Sequence, residues 1–331
     1  MKAPAHWQAG RGGLAAALLT PVSWLYRAGA AMKQGFGPAP RQVPVPVICV
    51  GNVTAGGAGK TPVALDIAGR LSAMGLAVHF LSRGYGGRLK GPLRVDPGAH
   101  TAADVGDEPL LLAATHPTWI GADRGASAEM AVAAGAQALV MDDGFQNFTL
   151  AKTLSLLVLD GGFGVGNGKL MPAGPLREPL DAALARADAV VRIGADTCGI
   201  DARIGGRVSL LAARLQPGPE AAGMRGRRYL AFTGIGRPEK FFDTLEAAGI
   251  EIAGSAAFAD HHPFTEHEIA DLRARAAGLG AGIVTTAKDI VRLAPQTRGS
   301  IDVLTVRLEW DDQGALDALL SPLADGIPNA G

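Results

Sequence analysis

Cysteine and aromatic residues are both scarce in this sequence. The 331 residues include two cysteines, Cys49 and Cys198, which lie far apart and show no metal-ligand spacing. Phenylalanine, tryptophan and tyrosine together make up 5% of the chain. So few cysteines fit the reducing cytosol better than a secreted, disulfide-stabilised scaffold.

The chain also has no excess charge of either sign. Its 31 lysines and arginines balance its 31 aspartates and glutamates, so nothing in the overall charge suggests a nucleic-acid partner. The hydrophobic fraction of 48% is large enough for a substantial core. A chain of 331 residues suits two domains or one large one.

Acidic residues are absent from the sequence before Asp66. In this region Leu14, Leu18, Val22 and Leu25 recur at helical spacing, with aromatic residues at positions 24 and 26 and basic residues on both sides. The apolar run is too short to cross a bilayer, which takes about 20 apolar residues.

Three interpretations of this helical stretch, at about 12–30, remain open. A basic start, a short apolar run and small residues at 28–30 are typical of a cleaved signal peptide. The pattern also suits a core helix. Basic flanks beside an apolar face with aromatic edges are typical of a helix on an anionic membrane surface. Pro21 is expected to break or kink the helix, and the proline-rich residues 38–46 to form an extended connector.

A glycine-rich loop between a predicted strand and a predicted helix is the most informative part of the sequence. Residues 45–61 read VPVICVGNVTAGGAGKT, and a helical pattern follows over 63–71. This order indicates a phosphate-binding loop. Gly56, Gly57 and Gly59 would let backbone amides crowd around phosphate oxygens. Lys60 would reach the β- and γ-phosphates, and the Thr61 hydroxyl would bind Mg²⁺.

The predicted nucleotide-binding residues form one run that departs from the usual motif at its first position. They are Thr54, Ala55, Gly56, Gly57, Ala58, Gly59, Lys60 and Thr61. The motif GxxxxGK[ST] has glycine where this chain has Thr54. That glycine is the most replaceable part, because the amides nearest the phosphates come later in the loop. A plain glycine-rich turn with an accidental Lys-Thr is the alternative.

Two adjacent aspartates follow another predicted strand. The apolar residues 138–141 lead into Asp142 and Asp143, and a glycine comes next. Downstream of a phosphate-binding loop, this pattern predicts that an aspartate holds Mg²⁺ directly or through water. Two aspartates before a glycine would otherwise form only a turn.

Three further segments carry polar residues that would line a ligand site. Arg83 follows the predicted strand 77–81 in a glycine-rich loop, where parallel sheets bind ligands. Arg177 and Glu178 lie in a rigid segment rich in proline and glycine. Asp107 and Glu108 stand at the start of a predicted helix, and Asp107 would either cap that helix or act as a general base.

Two histidines stand together in the sequence ADHHPF at 259–264. Adjacent side chains point different ways, which argues against a dinuclear metal site. One histidine oriented by a carboxylate for proton transfer is the better interpretation. The later TTAKD at 285–289 matches a guanine-specificity motif only loosely, so a GTPase switch is not favoured.

Predicted strands alternate with predicted helices along the chain. Strands are expected at 154–160, 189–193, 229–233 and 283–286, with a helix over 238–248. Residues 301–308 are expected to form one strand that returns to the first domain. The sequence therefore indicates an α/β fold with a mostly parallel sheet.

Taken in order, the motifs resemble one known family. GNVTAGGAGKTP, SRGYGG, GDEP, DDGFQN, MPAGPLREP, FTGIGRPEKFF, FADHHPF and TTAKD closely resemble those of the tetraacyldisaccharide 4′-kinase family of lipid A biosynthesis. The resemblance runs from about residue 45 to about residue 293. Loops of that family commonly lack the first glycine, in keeping with Thr54.

The resemblance implies a specific reaction and location. The γ-phosphate of ATP would pass to the 4′-hydroxyl of tetraacyldisaccharide 1-phosphate, giving lipid IVA, with Mg²⁺ as cofactor. The lipid substrate implies a peripheral or monotopic enzyme on the cytoplasmic face of the bacterial inner membrane, anchored by its N-terminal helix. No nucleic acid and no obligate protein partner are expected.

Site roles and domain limits also follow from the resemblance. Asp107 matches the family's catalytic base, His261 its partner, Asp142 and Asp143 the Mg²⁺ and active-site carboxylates, and Lys60 and Thr61 the nucleotide-loop pair. Arg83, Glu108, Arg177 and Glu178 would line the site. The phosphate-loop domain would comprise 1–152 and about 305–331. A smaller α/β domain at 160–300, joined by a short β-strand linker, would close the active-site cleft.

Two other functions compete with this one. The first is a phosphate-loop kinase that acts on a soluble metabolite, against which the acid-free N-terminal region argues. The second is a nucleotide-binding regulator or metallochaperone-type switch, which would hydrolyse nucleotide slowly and need a protein partner. Its usual signals, a guanine-specificity motif or clustered Cys/His ligands, are missing from the sequence.

Overall fold

The computed structural model describes residues 4–10, 12–35 and 39–325. The strands are β1 Val47–Gly51, β2 Val78–Ser82, β3 Leu93–Arg94, β4 Thr118–Ile120, β5 Ala138–Asp142, β6 Leu154–Asp160, β7 Ala189–Ile193, β8 Ser209–Pro217, β9 Arg228–Thr233, β10 Glu251–Ala257, β11 Gly282–Thr286, β12 Asp302–Leu304 and β13 Val306–Trp310. The helices are α1 Gly13–Gly35, α2 Lys60–Ala73, α3 Ala102–Val105, α4 Asp107–Ala113, α5 Arg124–Ala133, α6 Leu180–Leu184, α7 Ile200–Ile204, α8 Ala221–Met224, α9 Pro238–Ala247, α10 Glu266–Gly278, α11 Ala287–Ile290, α12 Pro295–Arg298 and α13 Gln313–Asp325.

Nine strands form a large sheet in the order β13-β8-β7-β6-β1-β5-β2-β4-β3. All neighbours are parallel except the two outermost pairs, β13 with β8 and β3 with β4. Strands β1, β2, β5 and β6 are buried along their whole length, because helices cover both faces of the sheet. The predicted α/β fold with a mostly parallel sheet is confirmed.

The strand with the phosphate-binding loop lies in the middle of this sheet. β1 pairs in parallel with β5 on one side and with β6 on the other. On one face, Val63 and Ile67 of α2 pack among the apolar residues of these strands. On the other face, Cys49 of β1 and Met141 of β5 belong to a second apolar cluster. The loop after β1 is therefore fixed at the carboxyl edge of the sheet.

A second, four-stranded sheet has the order β10-β9-β11-β12, with all its strands parallel. Tyr229 and Phe232 of β9 are fully buried in the two apolar clusters that cover opposite faces of this sheet. Helix α9 contributes Phe241 and Leu245 to one face, and α10 covers the other. This sheet carries the loops that contain the two histidines and the TTAKD segment.

The division between the sheets differs from the predicted domain limit at residue 160. β7 pairs with β6, and β8 pairs with β7, so the large sheet extends to Pro217. A chain that continues a parallel sheet through β-α-β units gives no local sign of where that sheet ends. The connections to the four-stranded sheet run from the antiparallel pair β8 and β13, in which Val306 pairs with Pro217.

Residues 301–308 were predicted to form one strand that returns to the first domain. The chain does return to the large sheet there, but the prediction of a single strand is wrong. Two strands lie there, and they belong to different sheets: β12 pairs with β11, and β13 pairs with β8. Thr305 separates them, and its hydroxyl donates to the Glu220 carboxylate over 2.7 Å. The apolar pattern is continuous across Thr305, so periodicity alone could not reveal the crossing from one sheet to the other.

Helix α1 continues through Pro21, contrary to the predicted break. Among its residues with described side chains, Ala16 and Ser23 are buried, and the Ser23 hydroxyl donates to the Leu170 carbonyl over 2.9 Å. Most of its large apolar side chains are exposed, including Leu14 at 76% and Leu25 at 74%. That exposure rules out the core-helix interpretation. Among the described residues, no helix combines the length and the apolar character needed to cross a membrane.

Candidate active site

The predicted phosphate-binding loop lies between β1 and α2, and α2 begins at Lys60. Gly59 caps this helix with a φ of 86°, a left-handed conformation that glycine adopts without strain. The free amides of the first helical turn therefore point into the loop, where the positive end of the helix dipole favours anions. The local backbone has the geometry of an anion site.

Thr54 occupies the position of the missing first glycine and is buried. Its backbone forms an antiparallel bridge with Leu176. The flanking bonds join the Ala55 amide to the Pro175 carbonyl over 2.8 Å and the Arg177 amide to the Val53 carbonyl over 2.7 Å. Thr54 is not among the residues with positive φ. Threonine fits here because this half of the loop is an extended segment paired to a neighbour.

The Lys60 side chain lies over the loop between two partners. Its ammonium is 3.4 Å from the Asn52 side-chain oxygen and 3.5 Å from Asp143 Oδ1. Asn52 also donates to the Thr54 hydroxyl over 3.3 Å, which fixes the orientation of its amide. Lys60 is therefore a preoriented cation at the place where the loop would hold phosphate.

Asp142 ends β5 directly beside the start of α2. The Thr61 hydroxyl donates to Asp142 Oδ2 over 3.0 Å. Asp142 Oδ1 is buried and has no hydrogen-bond partner among the described residues. Burial, followed by the negative charge of Glu108, raises the pKa of Asp142 to about 7. An unpartnered carboxylate oxygen beside a hydroxyl is a pair of hard oxygen donors, which suits a magnesium ion.

Asp143 has a different environment from its neighbour. Its φ is 55°, and this turn directs the side chain to Lys60 and to Arg177, whose Nη1 lies 3.0 Å from Asp143 Oδ1. Burial acts to raise the pKa of Asp143, but the Lys60 and Arg177 charges outweigh it and lower the pKa. Asp143 is thus held as an anion by two cations.

Arg177 and Glu178 reach the same group of residues through Gln146. Arg177 Nη1 donates to the Gln146 side-chain oxygen over 3.3 Å, and Gln146 Nε2 donates to Glu178 Oε1 over 2.9 Å. Glu178 also pairs with Arg186 at 2.7 Å. The predicted lining residues therefore surround the turn that carries Asp143.

A carboxylate–imidazole pair joins loops of the two sheets. Asp107, the first residue of α4, accepts a hydrogen bond from His261 Nδ1 over 2.9 Å. Asp107 Oδ1 also accepts from the Glu108 amide over 2.9 Å, so the side chain binds the start of its own helix as well. His261 lies in the loop after β10 with a φ of 58°. The other histidine, His262, turns to Glu268 at 2.9 Å.

Asp107 is placed by a tight contact between two loops. Gly106 has a φ of 89°, and a Cβ there would lie 2.4 Å from the Tyr85 carbonyl oxygen. The SRGYGG loop therefore packs directly on the backbone before Asp107. The Tyr85 ring also meets the His261 ring edge to face, with centroids 6.1 Å apart. Arg83 of this loop is exposed and forms none of the hydrogen bonds or ion pairs seen among the described residues.

A buried arginine contacts Asp107, and a partly buried lysine pairs with the adjacent Glu108. Arg292 Nε donates to Asp107 Oδ2 over 2.9 Å, and Arg292 Nη2 contacts the same oxygen. Glu108 pairs with Lys288 at 2.9 Å. Burial acts to raise the pKa of Asp107, but the His261 hydrogen bond and the charges of Lys288 and Arg292 outweigh it and hold the pKa far below its usual range. Asp107 is an anion at neutral pH.

A further ion pair connects the four-stranded sheet to the phosphate loop. Arg237, in the turn before α9, lies 2.7 Å from Asp160 at the end of β6 and also donates to the Gly57 carbonyl. The Glu108–Lys288 pair crosses between the same two parts of the chain. The loops of both sheets therefore meet around the phosphate-binding loop and the Asp107–His261 pair.

Several residues of this site were not predicted from the sequence. They are Asn52, Gln146, Arg237, Lys288 and Arg292. Arg292 stands three residues after Asp289, just beyond the end of α11, and this spacing was an available signal for an ion pair. Asn52 and Gln146 lie inside quoted motifs, yet only the fold gives them partners.

Comparisons with known proteins show which proteins this chain resembles. The family model described as tetraacyldisaccharide-1-P 4′-kinase (LpxK) matches residues 15–324. The tetraacyldisaccharide 4′-kinase of Rhodospirillum centenum is 55% identical, over 100% of this chain and 99% of that protein. That of Rhodospirillum rubrum is 52% identical, over 98% of this chain and 99% of that protein.

A solved structure extends the likeness to three dimensions. The crystal structure of LpxK from Aquifex aeolicus in complex with ATP has a TM-score of 0.74 and 26% identity to this chain. The match covers 93% of this chain and 99% of the Aquifex chain. The resemblance predicted from the sequence motifs is confirmed: this chain belongs to the tetraacyldisaccharide-1-P 4′-kinase family.

Proposed function

We propose that this protein transfers the γ-phosphate of ATP to the 4′-hydroxyl of tetraacyldisaccharide 1-phosphate, which yields lipid IVA. The observation that carries the proposal is the meeting of two half-sites. One is a phosphate-binding loop with Lys60, Thr61 and Asp142, and the other is the Asp107–His261 pair at 2.9 Å. Glu108 supports the proximity of these half-sites. Its negative charge helps to raise the pKa of Asp142, and its backbone amide donates a hydrogen bond to Asp107.

The phosphate half of the reaction uses the loop after β1. ATP would lie with its phosphates on residues 54–61, as supported by the Aquifex relative that was crystallised with ATP. Lys60 would bind the β- and γ-phosphates. The Thr61 hydroxyl and Asp142 would hold Mg²⁺, and the buried, unpartnered Asp142 Oδ1 supports that role. When bound, the metal ion neutralises negative charge on the phosphate oxygens.

The acceptor half of the reaction uses the Asp107–His261 pair. A sugar hydroxyl must lose its proton as its oxygen bonds to the γ-phosphorus, and a positioned base assists that step. Asp107 and His261 come from loops of different sheets and are already hydrogen-bonded. We infer that they act together as the proton-accepting unit. Asp143, Arg177 and Glu178 would line the space between the two half-sites, with Arg83 at its exposed edge.

The two sheets would form two domains with the reaction in the cleft between them. The ion pairs Glu108–Lys288 and Arg237–Asp160 bridge that cleft. An acceptor with four acyl chains stays in a membrane, so the site must approach the surface. The exposed apolar side of α1 supports binding to a membrane surface. We propose a peripheral enzyme on the cytoplasmic face of the inner membrane, with no obligate protein partner.

The decisive test is phosphate transfer to the lipid itself. The full chain is mixed with γ-³²P-ATP, Mg²⁺ and tetraacyldisaccharide 1-phosphate in detergent micelles, and the lipid is separated by thin-layer chromatography. We expect labelled lipid, and none when the metal is chelated or the lipid omitted. ATP consumption without labelled lipid would favour the regulator interpretation, and labelling of a soluble acceptor alone would favour a metabolite kinase.

Membrane binding through α1 leads to a separate prediction. Burial of one leucine contributes about 1.5–3 kcal/mol, so replacing Leu14, Leu18 and Leu25 by glutamine should weaken vesicle binding at least about tenfold. Co-sedimentation with anionic phospholipid vesicles measures the effect. Glutamine at Leu210 and Leu279, which are 38% and 37% exposed elsewhere, is the matched control and should not change binding. Unchanged sedimentation of the α1 variant would contradict the role of this helix.

A further inference from the structure

A cavity of about 160 Å³ lies against the large sheet, on the face opposite to α2. The chain crosses this face on its way from the end of β5 back to the start of β6, and Phe145 and Phe148 of that crossing form part of the cavity wall. The volume holds several water molecules, and so has room for one phosphate group. The residues proposed above for nucleotide binding, metal binding and proton transfer do not line it.

Two cations lie over the same two aromatic rings beside this cavity. Lys152 Nζ is 5.5 Å from the centre of the Phe145 ring and 5.8 Å from that of Phe148. Arg186 Cζ is 5.3 Å from the centre of the Phe145 ring and 5.0 Å from that of Phe148. A cation within about 6 Å of a ring centre is attracted by the face of the ring. The rings therefore hold two like charges at one cavity, which both side chains line.

Lys152 forms no ion pair with an acid in the part of the chain that the structure describes. Its ammonium donates instead to the Gly144 carbonyl over 2.9 Å and to the Phe145 carbonyl over 3.0 Å. An ammonium has three N–H donors, so one is left for a ligand. Burial outweighs the neighbouring negative charges and lowers the pKa of Lys152. An anion beside this nitrogen would stabilise the charge that burial disfavours.

The cavity lining contains further donors that make none of the hydrogen bonds found between described residues. They are Arg186 Nε, the Asn147 side-chain nitrogen and the Ser155 hydroxyl. Ser155 is 7% exposed, so a partner for its hydroxyl would have to lie inside the cavity. With Lys152, four residues therefore direct donors toward the same space.

Acidic side chains are missing from the cavity lining, as far as the described residues show. Two carboxylates bind that lining from outside. Glu178 pairs with Arg186 at 2.7 Å, and Asp188 accepts from the Ser155 backbone amide over 2.7 Å. Cations and donors without an acid favour an anionic ligand, and phosphate oxygens accept several charge-assisted hydrogen bonds at once.

We propose that this cavity is a second phosphate site, separate from the phosphate-binding loop, in which Lys152 and Arg186 bind the phosphate group of an ester. The proposal does not depend on the kinase function. Pro40 also lines the cavity, and it follows α1, which ends at Gly35 and has an exposed apolar side. The phosphate group would come either from the headgroup of a phospholipid at that helix or from a soluble phosphate ester.

Occupancy of the cavity would act on the turn that carries Asp143. Lys152 donates to the two carbonyls that directly follow Asp143 in the chain. Arg186 reaches the same turn through Glu178, which accepts from Gln146. A bound anion would offset the repulsion between the two cations and so restrain both connections. The site would thus link phosphate binding on one face of the sheet to a turn of the proposed active site.

Chemical labelling of the Lys152 amine tests the proposal in the unaltered full chain. Lysines are methylated briefly with formaldehyde and cyanoborohydride, without ATP or acceptor lipid, and mass spectrometry gives the rate for each lysine. The probes are inorganic phosphate, glycerol 3-phosphate, and phosphatidylcholine vesicles with and without phosphatidylglycerol. A probe at about ten times its dissociation constant should slow the methylation of Lys152 about tenfold, because the filled site excludes the reagent.

Lys169 is the internal control, because it donates to the Thr20 hydroxyl of α1 and does not line the cavity. Protection of Lys152 but not Lys169 by the soluble probes would identify a soluble phosphate as the ligand. The same protection by vesicles with phosphatidylglycerol, and by no soluble probe, would identify a phospholipid headgroup. Equal methylation with and without every probe, or protection that Lys169 shares equally, would overturn the proposal.

Variants of the two cations provide a second test, in a Lys60→Ala background that weakens phosphate binding at the loop. Lys152→Gln and Arg186→Gln should each weaken binding of the protecting probe at least about tenfold, since each removes a charge-assisted hydrogen bond. Isothermal titration measures the soluble probes, and co-sedimentation measures the vesicles.

Arg214→Gln is the matched control for these variants. Arg214 is an exposed arginine of β8 that pairs with Asp311 at 2.7 Å, so its replacement removes one positive charge from the same sheet and should leave the affinity unchanged. Unchanged affinity in both cavity variants would overturn the proposal. If a cavity variant does not fold, the labelling of the unaltered chain decides.

Discussion

Replacement of His261 by alanine should lower kcat by about 10²–10⁴-fold, the usual contribution of a positioned general base. The reason is geometric: this imidazole is hydrogen-bonded to Asp107 at 2.9 Å and is the half-exposed member of the pair. Affinity for ATP should be largely kept, because the loop 54–61 belongs to a different part of the site. Initial rates of lipid labelling at saturating ATP measure kcat, and titration of ATP gives its KM.

The adjacent histidine provides a matched control for this prediction. His262 is bound to Glu268 at 2.9 Å, and the two adjacent side chains have different partners. His262→Ala removes the same atoms one residue further along the chain and should reduce kcat less than about threefold. Equal losses from the two substitutions would show that the loop, and not the imidazole of His261, is what the reaction needs.

Asp107→Ala should cause a loss similar to that of His261→Ala, and the double variant should be little worse than either. Groups that act as one unit show such non-additivity. This substitution also leaves Arg292 buried without one of its counter-ions, so the free energy of unfolding should fall by about 3–5 kcal/mol. A urea titration separates that loss from the kinetic one. Independent multiplication of the two kinetic losses would contradict a shared proton-accepting unit.

Replacement of Lys60 by alanine should lower kcat by about 10²–10³-fold, as expected for loss of one preorganised group that stabilises charge in the transition state. Lys60 lies between Asn52 and Asp143, 3.4 and 3.5 Å away, so its ammonium is already oriented toward the loop. The loss should appear for lipid phosphorylation and for any background ATP hydrolysis alike, because both require a stabilised γ-phosphate. His261→Ala, in contrast, should spare background hydrolysis.

The control for Lys60 is an exposed lysine outside the loop. Lys90 donates to the Gly87 carbonyl over 3.2 Å, and Lys90→Ala should leave kcat and the KM for ATP unchanged. The measurement is lipid labelling beside release of inorganic phosphate in the absence of lipid. A Lys60→Ala protein with near-normal turnover would contradict the assignment of residues 54–61 as the nucleotide site.

Features encoded by neighbouring residues were accessible from the sequence. The strand, glycine loop, Lys60, Thr61 and helix α2 are consecutive, so their order alone predicted the loop that lies between β1 and α2. The apolar runs of β6 and β7 were predicted with the bounds that the structure has, because strands buried on both faces need apolar residues throughout. The family resemblance followed from motifs of the same local kind.

Features that depend on which strands become neighbours could not be predicted from consecutive residues. The domain limit was placed at 160, although β7 and β8 carry the large sheet on to Pro217. The strand predicted at 301–308 proved to be two, because one residue, Thr305, separates pairings with different sheets. The spacing of apolar residues indicates which side chains are buried, but it does not indicate which strand pairs with which.

The sequence by itself determined the phosphate-binding loop, the α/β class and the family, since each depends on residues close together in the chain. Only the tertiary structure decided how the charges of the site are arranged. Asp107 and His261 are 154 residues apart in sequence, and Asp107 and Arg292 are 185 apart. Burial of Asp107 beside a permanent cation arises only when the loops of two sheets meet. The exposure of the apolar side of α1 was decided in the same way, by what packs against the helix and what does not.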